Sequence, residues 1–589
     1  MTGFVDWALE ARGIDIINGN VHQGEFASAF SQWLQDVVLA DDAVKAWLET
    51  ALDASKLEQF VLGSFDVDIM QNAEDRAPAI RFDDGQEFSL DALFEGEKTA
   101  FVWTRGKAEQ TRWFFEEFDA PVTEPEPEPD PEPVPLAGLY FSAFTHEGGR
   151  ELWMVTVDGD VVQVADINEG TGSSDPQGFT EFNGELYFSA FDGETGHELW
   201  KVTAEGNVVQ VADINEGSGS SNPRGFTEFN GELYFSASDG ETGRELWKVT
   251  ADGDVVQVAD INEGANASGP GDFTEFNGEL YFSASDGATG QELWKVTAAG
   301  DVVQVADIHE GSGSSSPRGF TEFNGELYFS ASDGETGREL WKVTEDGDVV
   351  QVADINEGPE SSGPWPLAGF TEFNGELYFS ASDGETGREL WKVTADGDVV
   401  QVADINEGAN ASDPQGFTEF NGELYFSASD GATGRELWKV TAEGDVVQVA
   451  DINEGSGSSN SHSFTEFNGE LYFSAFDGET GQELWKVTAE GDVVQVADIN
   501  EGSGSSNPRD FTEFDGELYF NAFDDETGWE LWKVTAQGTV EQVADILDGE
   551  LGSYPTAFYA IDPETQLPLI EIADSPEEPE EEEALDMLA

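Results

Sequence analysis

Residues 230–247 read NGELYFSASDGETGRELW, and close copies of this segment recur through most of the chain. Each copy ends in Glu-Leu-Trp, and successive tryptophans are 47 residues apart in seven intervals and 50 residues apart in one. A period near about 45 residues with turn signals throughout is typical of a propeller blade or another stacked unit. The nine tryptophans are Trp153, Trp200, Trp247, Trp294, Trp341, Trp391, Trp438, Trp485 and Trp532.

Each unit contains four segments with the pattern of a β-strand. They are rich in β-branched or aromatic residues and are bounded by Asn-Gly, Asp-Gly or Gly-Ser-Gly turns. Asn230-Gly231 suits a two-residue hairpin because both residues tolerate positive φ. Four antiparallel strands per repeat predict one propeller blade. In the copy around Trp247 the segments are residues 225–229, 232–238, 245–250 and 255–261.

The order of the copies predicts a closed ring. Nine copies of the second, third and fourth strands occur, but only eight of the leading Phe-Thr-Glu-Phe strand, beginning at Phe179. The first copy starts at Leu139 without this strand, and the segment from Tyr554 to Ala560 supplies the ninth. A C-terminal strand that completes the N-terminal blade removes free sheet edges. We therefore predict an all-β fold, a closed β-propeller of nine four-stranded blades; eight blades plus one leftover unit is the alternative.

The rest of the chain differs from the repeats. Residues 1–119 have helical spacing from Glu25 to Leu62 and then three strand-like runs, which predicts a small α+β domain of unknown role. Residues 120–135 alternate Pro with acidic residues and predict a stiff, extended spacer. The repeats fill 136–562, and an acidic C-terminal tail occupies 563–589. The strand-like runs are residues 79–82, 88–90 and 99–103.

Charge restricts the partners. The chain has 25 Lys and Arg against 122 Asp and Glu, a formal net charge of -97. Nucleic acids and anionic membrane surfaces would be repelled, so we expect neither as a partner. Divalent cations, basic proteins and neutral glycans remain. With no Cys and no run of 18 apolar residues, disulfides, thiolate metal sites and a membrane-spanning segment are also not expected.

The segment from Asn230 to Trp247 resembles the repeat of bacterial ELWxxDGT proteins. The resemblance covers residues 136–562, although Lys248 to Gly253 replaces the tighter Asp-Gly-Thr turn of that family. Such proteins are typically large, acidic, secreted or surface-associated, and mostly without an assigned activity. The resemblance therefore implies a secreted repeat protein.

The same segment is similar to the tryptophan-docking motif of quinoprotein propellers. Ala237, Asp239, Thr242, Gly243 and Trp247 match that motif position by position. In the motif the Trp stacks against the neighbouring blade, so the similarity implies ring architecture and packing of the tryptophans between blades. It implies no quinone cofactor.

Two sets of carboxylates are candidates for cation sites. Hairpin aspartates such as Asp239 are explained by hydrogen bonds to their own turn, and the D-x-D-x-D-G spacing of a calcium loop is absent. In the Ala-Asp-Ile-Asn-Glu-Gly segment, an Asp and a Glu stand three residues apart in most copies and would ring one face of a propeller. The sequence favours a solvated acidic rim; binding of calcium or another divalent cation by these pairs is the alternative. The candidate metal ligands are Asp166, Glu169, Asp213, Glu216, Asp260 and Glu263.

Catalysis is not expected, and we predict that the chain is not an enzyme. The five histidines fall at different points of the unit, so no Ser-His-Asp constellation is implied. A carboxylate repeated in every blade is a poor catalyst, because an active site needs one carboxyl in surroundings unlike those of its neighbours. The loops between blades vary more, and rigidly held loops often bind ligands. Trp365, between two prolines, is the best candidate for a ligand contact.

The C-terminal tail bears on localisation. An acidic run from Pro576 to Glu583 precedes a short apolar terminus, which resembles the uncleaved signals of type I secreted bacterial proteins. We expect an extracellular or cell-surface location; the cytoplasm of a salt-adapted organism is the alternative. The function expected is a non-catalytic binding propeller whose acidic rim attracts cations and whose loops contact a glycan or protein. A structural, cation-dependent matrix or spacer protein without a discrete ligand is the runner-up.

Overall fold

The computed structural model describes residues 136–562, except 365–368, 548 and 550, and the backbone of five strands nearer the N-terminus. The chain divides into two units, Met1–Glu132 and Pro133–Ala589. All regular elements among the described residues are β-strands, and none of these residues forms a helix that could cross a membrane.

In the first unit, three strands form an antiparallel sheet of order β1-β2-β3, and two longer strands form a hairpin. The three runs that the sequence predicts correspond to β2, β3 and β4. The helices predicted between Glu25 and Leu62 lie outside the described residues. The strands are β1 Asp66–Asp68, β2 Ala79–Arg81, β3 Glu87–Ser89, β4 Lys98–Arg105 and β5 Ala108–Phe115.

The second unit is a ring of nine four-stranded antiparallel blades, numbered 1 to 9 in chain order. The first strands are β41 Thr556–Ile561 (blade 1), β9 Gln177–Phe182, β13 Arg224–Phe229, β17 Gly271–Phe276, β21 Arg318–Phe323, β25 Thr371–Phe373, β29 Gln415–Phe420, β33 His462–Phe467 and β37 Arg509–Phe514. The second strands are β6 Gly138–Thr145, β10 Glu185–Phe191, β14 Glu232–Ser238, β18 Glu279–Ser285, β22 Glu326–Ser332, β26 Glu376–Ser382, β30 Glu423–Ser429, β34 Glu470–Phe476 and β38 Glu517–Asp524. The third strands are β7 Gly149–Thr156, β11 His197–Val202, β15 Arg244–Val249, β19 Gln291–Val296, β23 Arg338–Val343, β27 Arg388–Val393, β31 Arg435–Val440, β35 Gln482–Val487 and β39 Gly528–Val534. The fourth strands are β8 Val161–Ala165, β12 Val208–Ala212, β16 Val255–Ala259, β20 Val302–Ala306, β24 Val349–Ala353, β28 Val399–Ala403, β32 Val446–Ala450, β36 Val493–Ala497 and β40 Val540–Ala544.

The ring is closed by the C-terminal strand. β41 pairs with β6 in the register Ile561↔Gly138 and Tyr559↔Tyr140, so blade 1 has the order β41-β6-β7-β8. First strands of neighbouring blades contact one another, and β41 contacts both β37 and β9. The first strands therefore surround the axis. The prediction of nine blades with a supplied closing strand is confirmed, and the alternative of eight blades is wrong.

Turn chemistry sets the register inside each blade. Asn230 and Gly231 have φ angles of 53° and 74°, as a tight hairpin with two left-handed residues requires, and Phe229 pairs directly with Glu232. Because side chains alternate between the two sheet faces, this register sends Leu233 and Phe235 to one face and Tyr234 to the other. All three side chains are buried.

The core lies between the blades. Between blades 3 and 4, Tyr234 and Leu246 pack against Leu280 and Phe282 in one cluster, and equivalent clusters occupy all nine interfaces. Trp247 packs against the cluster between blades 2 and 3. The predicted role of the tryptophans in packing between blades is confirmed. Each blade therefore depends on both neighbours, which makes closure of the ring a condition for stability.

A chain that ends at Glu550, and so lacks β41, should unfold at a clearly lower temperature than a chain that ends at Asp562. The shorter chain loses the ladder to β6 and the buried side chain of Ile561, and truncating one buried Ile alone costs about 2–5 kcal/mol. Thermal unfolding followed by circular dichroism provides the measurement. Equal midpoints for the two chains would show that the ring does not depend on its closing strand.

Candidate functional site

Every blade has two ends. One end carries the turn between the second and third strands and the linking loop from the fourth strand to the next blade, such as residues 213–223; we call it the upper face. The other end, the lower face, carries the Asn-Gly turn and the turn between the third and fourth strands. Two kinds of residue build the upper face: some are alike in all blades and hold the loops, and others differ between blades.

The glutamate of Glu-Leu-Trp holds the linking loop. Glu198 accepts hydrogen bonds from the backbone N–H of Ile214 at 2.8 Å and from the N–H and hydroxyl of Ser221 at 2.8 and 2.6 Å. One carboxylate thus ties the third strand to both ends of the loop that leads into the next blade. The two backbone donors recur in all nine blades. The glutamate is fully buried in each: Glu151, Glu198, Glu245, Glu292, Glu339, Glu389, Glu436, Glu483 and Glu530.

Burial raises the pKa of eight of these carboxyls, and the Ser and backbone donors act against that rise. For Glu530 burial dominates enough to raise the pKa to about 7. The carboxylates are therefore costly charges that the donors of the linking loop compensate. In the sequence this Glu is recognisable only as part of the repeat signature, and nothing in the pattern indicates its burial inside a polar network.

Ser221→Ala should destabilise the ring by about 1.5–3 kcal/mol, because it removes one hydroxyl donor from a buried carboxylate. Ser218→Ala, at an exposed position of the same loop, is the matched control and should leave stability unchanged. Urea unfolding of both variants is the measurement. If the two variants unfold at the same urea concentration, the Glu–Ser hydrogen bond does not stabilise the fold.

The hairpin aspartates are used by their own turns. Asp239 accepts hydrogen bonds from the N–H groups of Glu241 and Thr242 at 2.8 and 2.7 Å, while the Thr242 hydroxyl accepts one from Gln257 Nε2 at 2.9 Å. Burial opposes ionisation of Asp239, but these donors outweigh it and lower the pKa of the carboxyl. Turn hydrogen bonding therefore accounts for this set of residues.

The predicted metal ligands lie in the linking loops. The aspartates each accept a hydrogen bond from the N–H of the glycine four residues later, at 3.1 Å from Gly217 to Asp213, for example. The glutamates are exposed. Within the described part of the chain, no three His, Cys, Asp or Glu side chains are gathered in a way that could hold a metal ion. The residues concerned are Asp166, Glu169, Asp213, Glu216, Asp260 and Glu263, and cation binding by them stays a prediction. Trp365 lies outside the described residues.

Residues that differ between blades lie where the upper face meets the axis, and others lie in the linking loops and in the turn between the third and fourth strands. In blade 3 those near the axis are Asn222, Arg224 and Gly225, at the entry to the first strand, and Arg244, at the start of the third; we call these and their equivalents the mouth positions. The third-strand position holds Arg150, His197, Arg244, Gln291, Arg338, Arg388, Arg435, Gln482 and Trp529. The described first-strand positions hold Gln177, Arg224, Gly271, Arg318, Gln415, His462, Arg509 and Thr556.

Several mouth positions have left-handed backbone. The position of Gly225 has positive φ in every blade, yet Asp272, Ser463, Asp510 and Ala557 occupy it with φ of 56–60°. Non-glycine residues in this region carry a conformational cost, and such residues are often found at functional sites. The mouth thus combines sequence variation with local strain.

All eight arginines of residues 136–562 lie at mouth positions. Arg244 donates through Nη1 to the carbonyl oxygens of Asn222 at 2.8 Å and Ser236 at 3.1 Å, which holds it at the mouth. Burial, together with the charge of Arg224, lowers the pKa of Arg244. Burial and the charge of Arg318 lower the pKa of Arg338 to about 10. Like charges thus stand side by side in blades 3 and 5.

Aspartates offset only part of this charge. Asp413 lies between Arg388 at 3.7 Å and Arg435 at 3.8 Å, and Asp175 lies 3.7 Å from Arg150. Counting Asp272 and Asp510 as well, four aspartates stand at mouth positions against eight arginines. At the mouth positions, arginines therefore outnumber aspartates in a chain that is strongly acidic as a whole.

The lysines of the ring are neutralised elsewhere. Lys248 Nζ lies 2.7 Å from Glu232 Oε2 and 5.7 Å from the centre of the Tyr234 ring, in the lower half of the blade. All eight lysines of residues 136–562 make this contact, at 2.5–2.8 Å. In blade 1, Met154 and Gly138 replace the Lys and the Glu together.

Blade 9 differs most from the others at the mouth. Trp529 replaces the basic or amide residue of the other blades and stacks on Tyr554, with ring centres 6.2 Å apart and planes 29° from parallel. The Arg509 guanidinium carbon lies 4.4 Å from the centre of the Trp529 ring. Tyr554 is 41% exposed. Neither aromatic residue was predicted from the sequence, but aligning the nine copies against one another identifies both.

Comparison with known proteins supports the repeat assignment. A family model described as outer membrane protein assembly factor BamB matches residues 183–306, 374–497 and 421–551, together just over half of the chain. The chain belongs to this family. None of the curated proteins matches it. The similarity to ELWxxDGT proteins stays a resemblance.

Solved structures similar to this chain include propellers of peptidases. Puromycin hydrolase has 16% identity and a TM-score of 0.29, with 57% of this chain and 55% of that chain covered. A prolyl endopeptidase has 13% identity and a TM-score of 0.33, with 54% and 49% covered. The β-propeller domain of the trilobed protease from Pyrococcus furiosus has 11% identity and a TM-score of 0.29, with 55% and 97% covered. The chain thus spans about half the length of the first two proteins.

These comparisons correct the prediction that the chain is not an enzyme. That exclusion is contradicted, because similar propellers are parts of peptidases. The prediction assumed that every blade presents the same side chains. The mouth positions break that repetition, so residues such as His197 and His462 have surroundings of their own. At these identities the similarity concerns the propeller fold and assigns no peptidase activity to this chain.

Proposed function

We propose that the ring is an interaction module that binds its ligand at the mouth positions of the upper face. The observation that carries this proposal is that Arg, His, Gln and Trp replace one another at the mouth position of the third strand, while Leu-Tyr-Phe and Glu-Leu-Trp are the same in all nine copies. A duplicated scaffold needs no such differences to fold. A rigid ring that presents different side chains around one axis offers a single asymmetric site.

The family description also favours an interaction role. The matching model is named for an outer membrane protein assembly factor, a description that supports contact with other molecules rather than a purely structural ring. A protein or glycan ligand suits this role. We place the protein outside the cell or at its surface, in keeping with its acidic composition and its C-terminal tail.

Cation binding at the outer rim belongs to the same proposal. The six candidate ligands and their equivalents lie in linking loops around the ring, where Glu216 and its equivalents are exposed. Divalent cations held there would offset the mutual repulsion of the carboxylates. A cation-dependent matrix or spacer protein remains the second candidate, favoured by the recurrence of these pairs in most blades.

The absence of Cys allows a direct test of the binding face, because a single introduced thiol can carry a bulky label. Gln177→Cys places the label at the mouth, and Asp252→Cys places it on the lower face; both residues are exposed. Each labelled chain is applied to a panel of immobilised polysaccharides and peptides. Ligands retained by the unlabelled chain should be lost with the label at 177 and kept with the label at 252. Retention of every ligand with the label at 177 would overturn the proposal.

The rim is tested by thermal unfolding in sodium chloride and in calcium chloride at matched ionic strength. Screening over about 10 Å at 0.1 M acts alike for both salts. Ions bound specifically to the folded state add stability by mass action, so we expect a higher midpoint in calcium chloride. Coincident midpoints would mean that the carboxylates of the rim are solvated and bind no calcium specifically.

A further inference from the structure

Trp529 breaks a structural rule of the repeat. In five other blades an Arg at this position donates to a carbonyl of the loop that enters the first strand, as Arg244 does to Asn222 at 2.8 Å. Among the residues that the structure describes, the Trp529 side chain makes no such hydrogen bond and stacks on Tyr554 instead. Blade 9 therefore gives up a contact that stabilises the loop in most of the ring.

Tyr554 breaks a second rule at the adjacent position. Its φ is 50°, and the equivalent residues of the other eight blades are Asp, Asn, Ser or Gly, which adopt this conformation at lower cost. A bulky aromatic residue with positive φ is strained. Two locally unfavourable choices thus meet where the exposed Tyr554 stacks on the half-buried Trp529, and violations of this kind are expected at functional sites.

The charge beside the stack is available to a ligand. Within the described residues, the Arg509 side chain makes no hydrogen bond; it lies over the Trp529 ring, and its ion pair with Asp510 is 3.8 Å long with both side chains more than two-fifths exposed. Such a pair contributes little in water. Arg150, on the third strand of blade 1, donates to the carbonyl oxygen of Tyr554 at 2.7 Å and so positions that residue.

We infer that the site formed by Arg509, Trp529 and Tyr554 binds a carboxylated sugar, of the uronic acid class, in a short oligosaccharide. This inference rests on the proposed function. The exposed ring of Tyr554, beside the half-buried Trp529, offers a flat apolar surface for the face of a sugar ring, and the Arg509 guanidinium matches a carboxylate in geometry and charge. A short ligand suits the site because the positive charge is confined to the mouth of a chain with net charge -97.

The test is calorimetric titration of the full chain with trigalacturonate, its methyl ester and triglutamate. We expect trigalacturonate to bind and its ester to bind about tenfold more weakly, which corresponds to loss of one charge-assisted hydrogen bond. Arg509→Gln should weaken binding to a similar extent. Glutamine stands at the equivalent positions of blades 2 and 7, Gln177 and Gln415, so this variant is expected to fold.

Trp529→Arg combined with Tyr554→Asn restores the residues of the other blades. This double substitution should abolish trigalacturonate binding without lowering the thermal midpoint. Gln291→Arg, the same restoration in blade 4, should change neither the binding nor the midpoint. A lower midpoint would show that the aromatic stack serves to stabilise the contact between blades 9 and 1, and would overturn the inference. Equal binding of the ester, or triglutamate binding that survives the double substitution, would also overturn it. If trigalacturonate does not bind, but a label at residue 177 still prevents binding of other ligands of the panel, this inference is refuted and the proposed function is not.

Discussion

Nine buried carboxylates determine where the loops of this ring can lie. Each takes its donors from both ends of a linking loop, as Glu198 does from Ile214 and Ser221, so the loop must leave the fourth strand and enter the next blade along one path. A charge without solvent contact is tolerated only while all its hydrogen bonds are made. The upper face is therefore rigid because the alternative is an uncompensated charge in the core.

This rigidity separates scaffold from site. The residues that serve the carboxylate and the packing between blades are nearly invariant, whereas the mouth positions lie just beyond the loop that the carboxylate holds, and their side chains differ between blades. Arg224 and Gln177 occupy equivalent backbone in neighbouring blades, with different side chains on the same frame. The charges are sorted in the same way: each lysine is bound to a glutamate in the lower half, and each arginine of the ring is at the mouth.

The fold could be predicted from the sequence because its signals are repeated. Period, strand pattern and the missing first strand gave nine blades and the closing strand, and an Asn-Gly turn such as Asn230-Gly231 set the register. The site could not be predicted in the same way. A buried Glu and an exposed Glu look alike in a chain with 122 acidic residues, and only three-dimensional contacts distinguish Glu198 from Glu216. The role of Trp529 could not be predicted from the repeat pattern, because that pattern contains only what the copies share.

The closing strand has a mechanical consequence. Gly138 and Ile561 face each other at one end of the antiparallel β41–β6 ladder, so the chain enters and leaves the ring side by side. Tension between these two points loads the hydrogen bonds one after another, as in a zipper, rather than all together in shear. Thermal unfolding must disrupt nine coupled interfaces, but a force applied to the two ends acts on the β41–β6 ladder only. Under force, the ring opens first between its own ends.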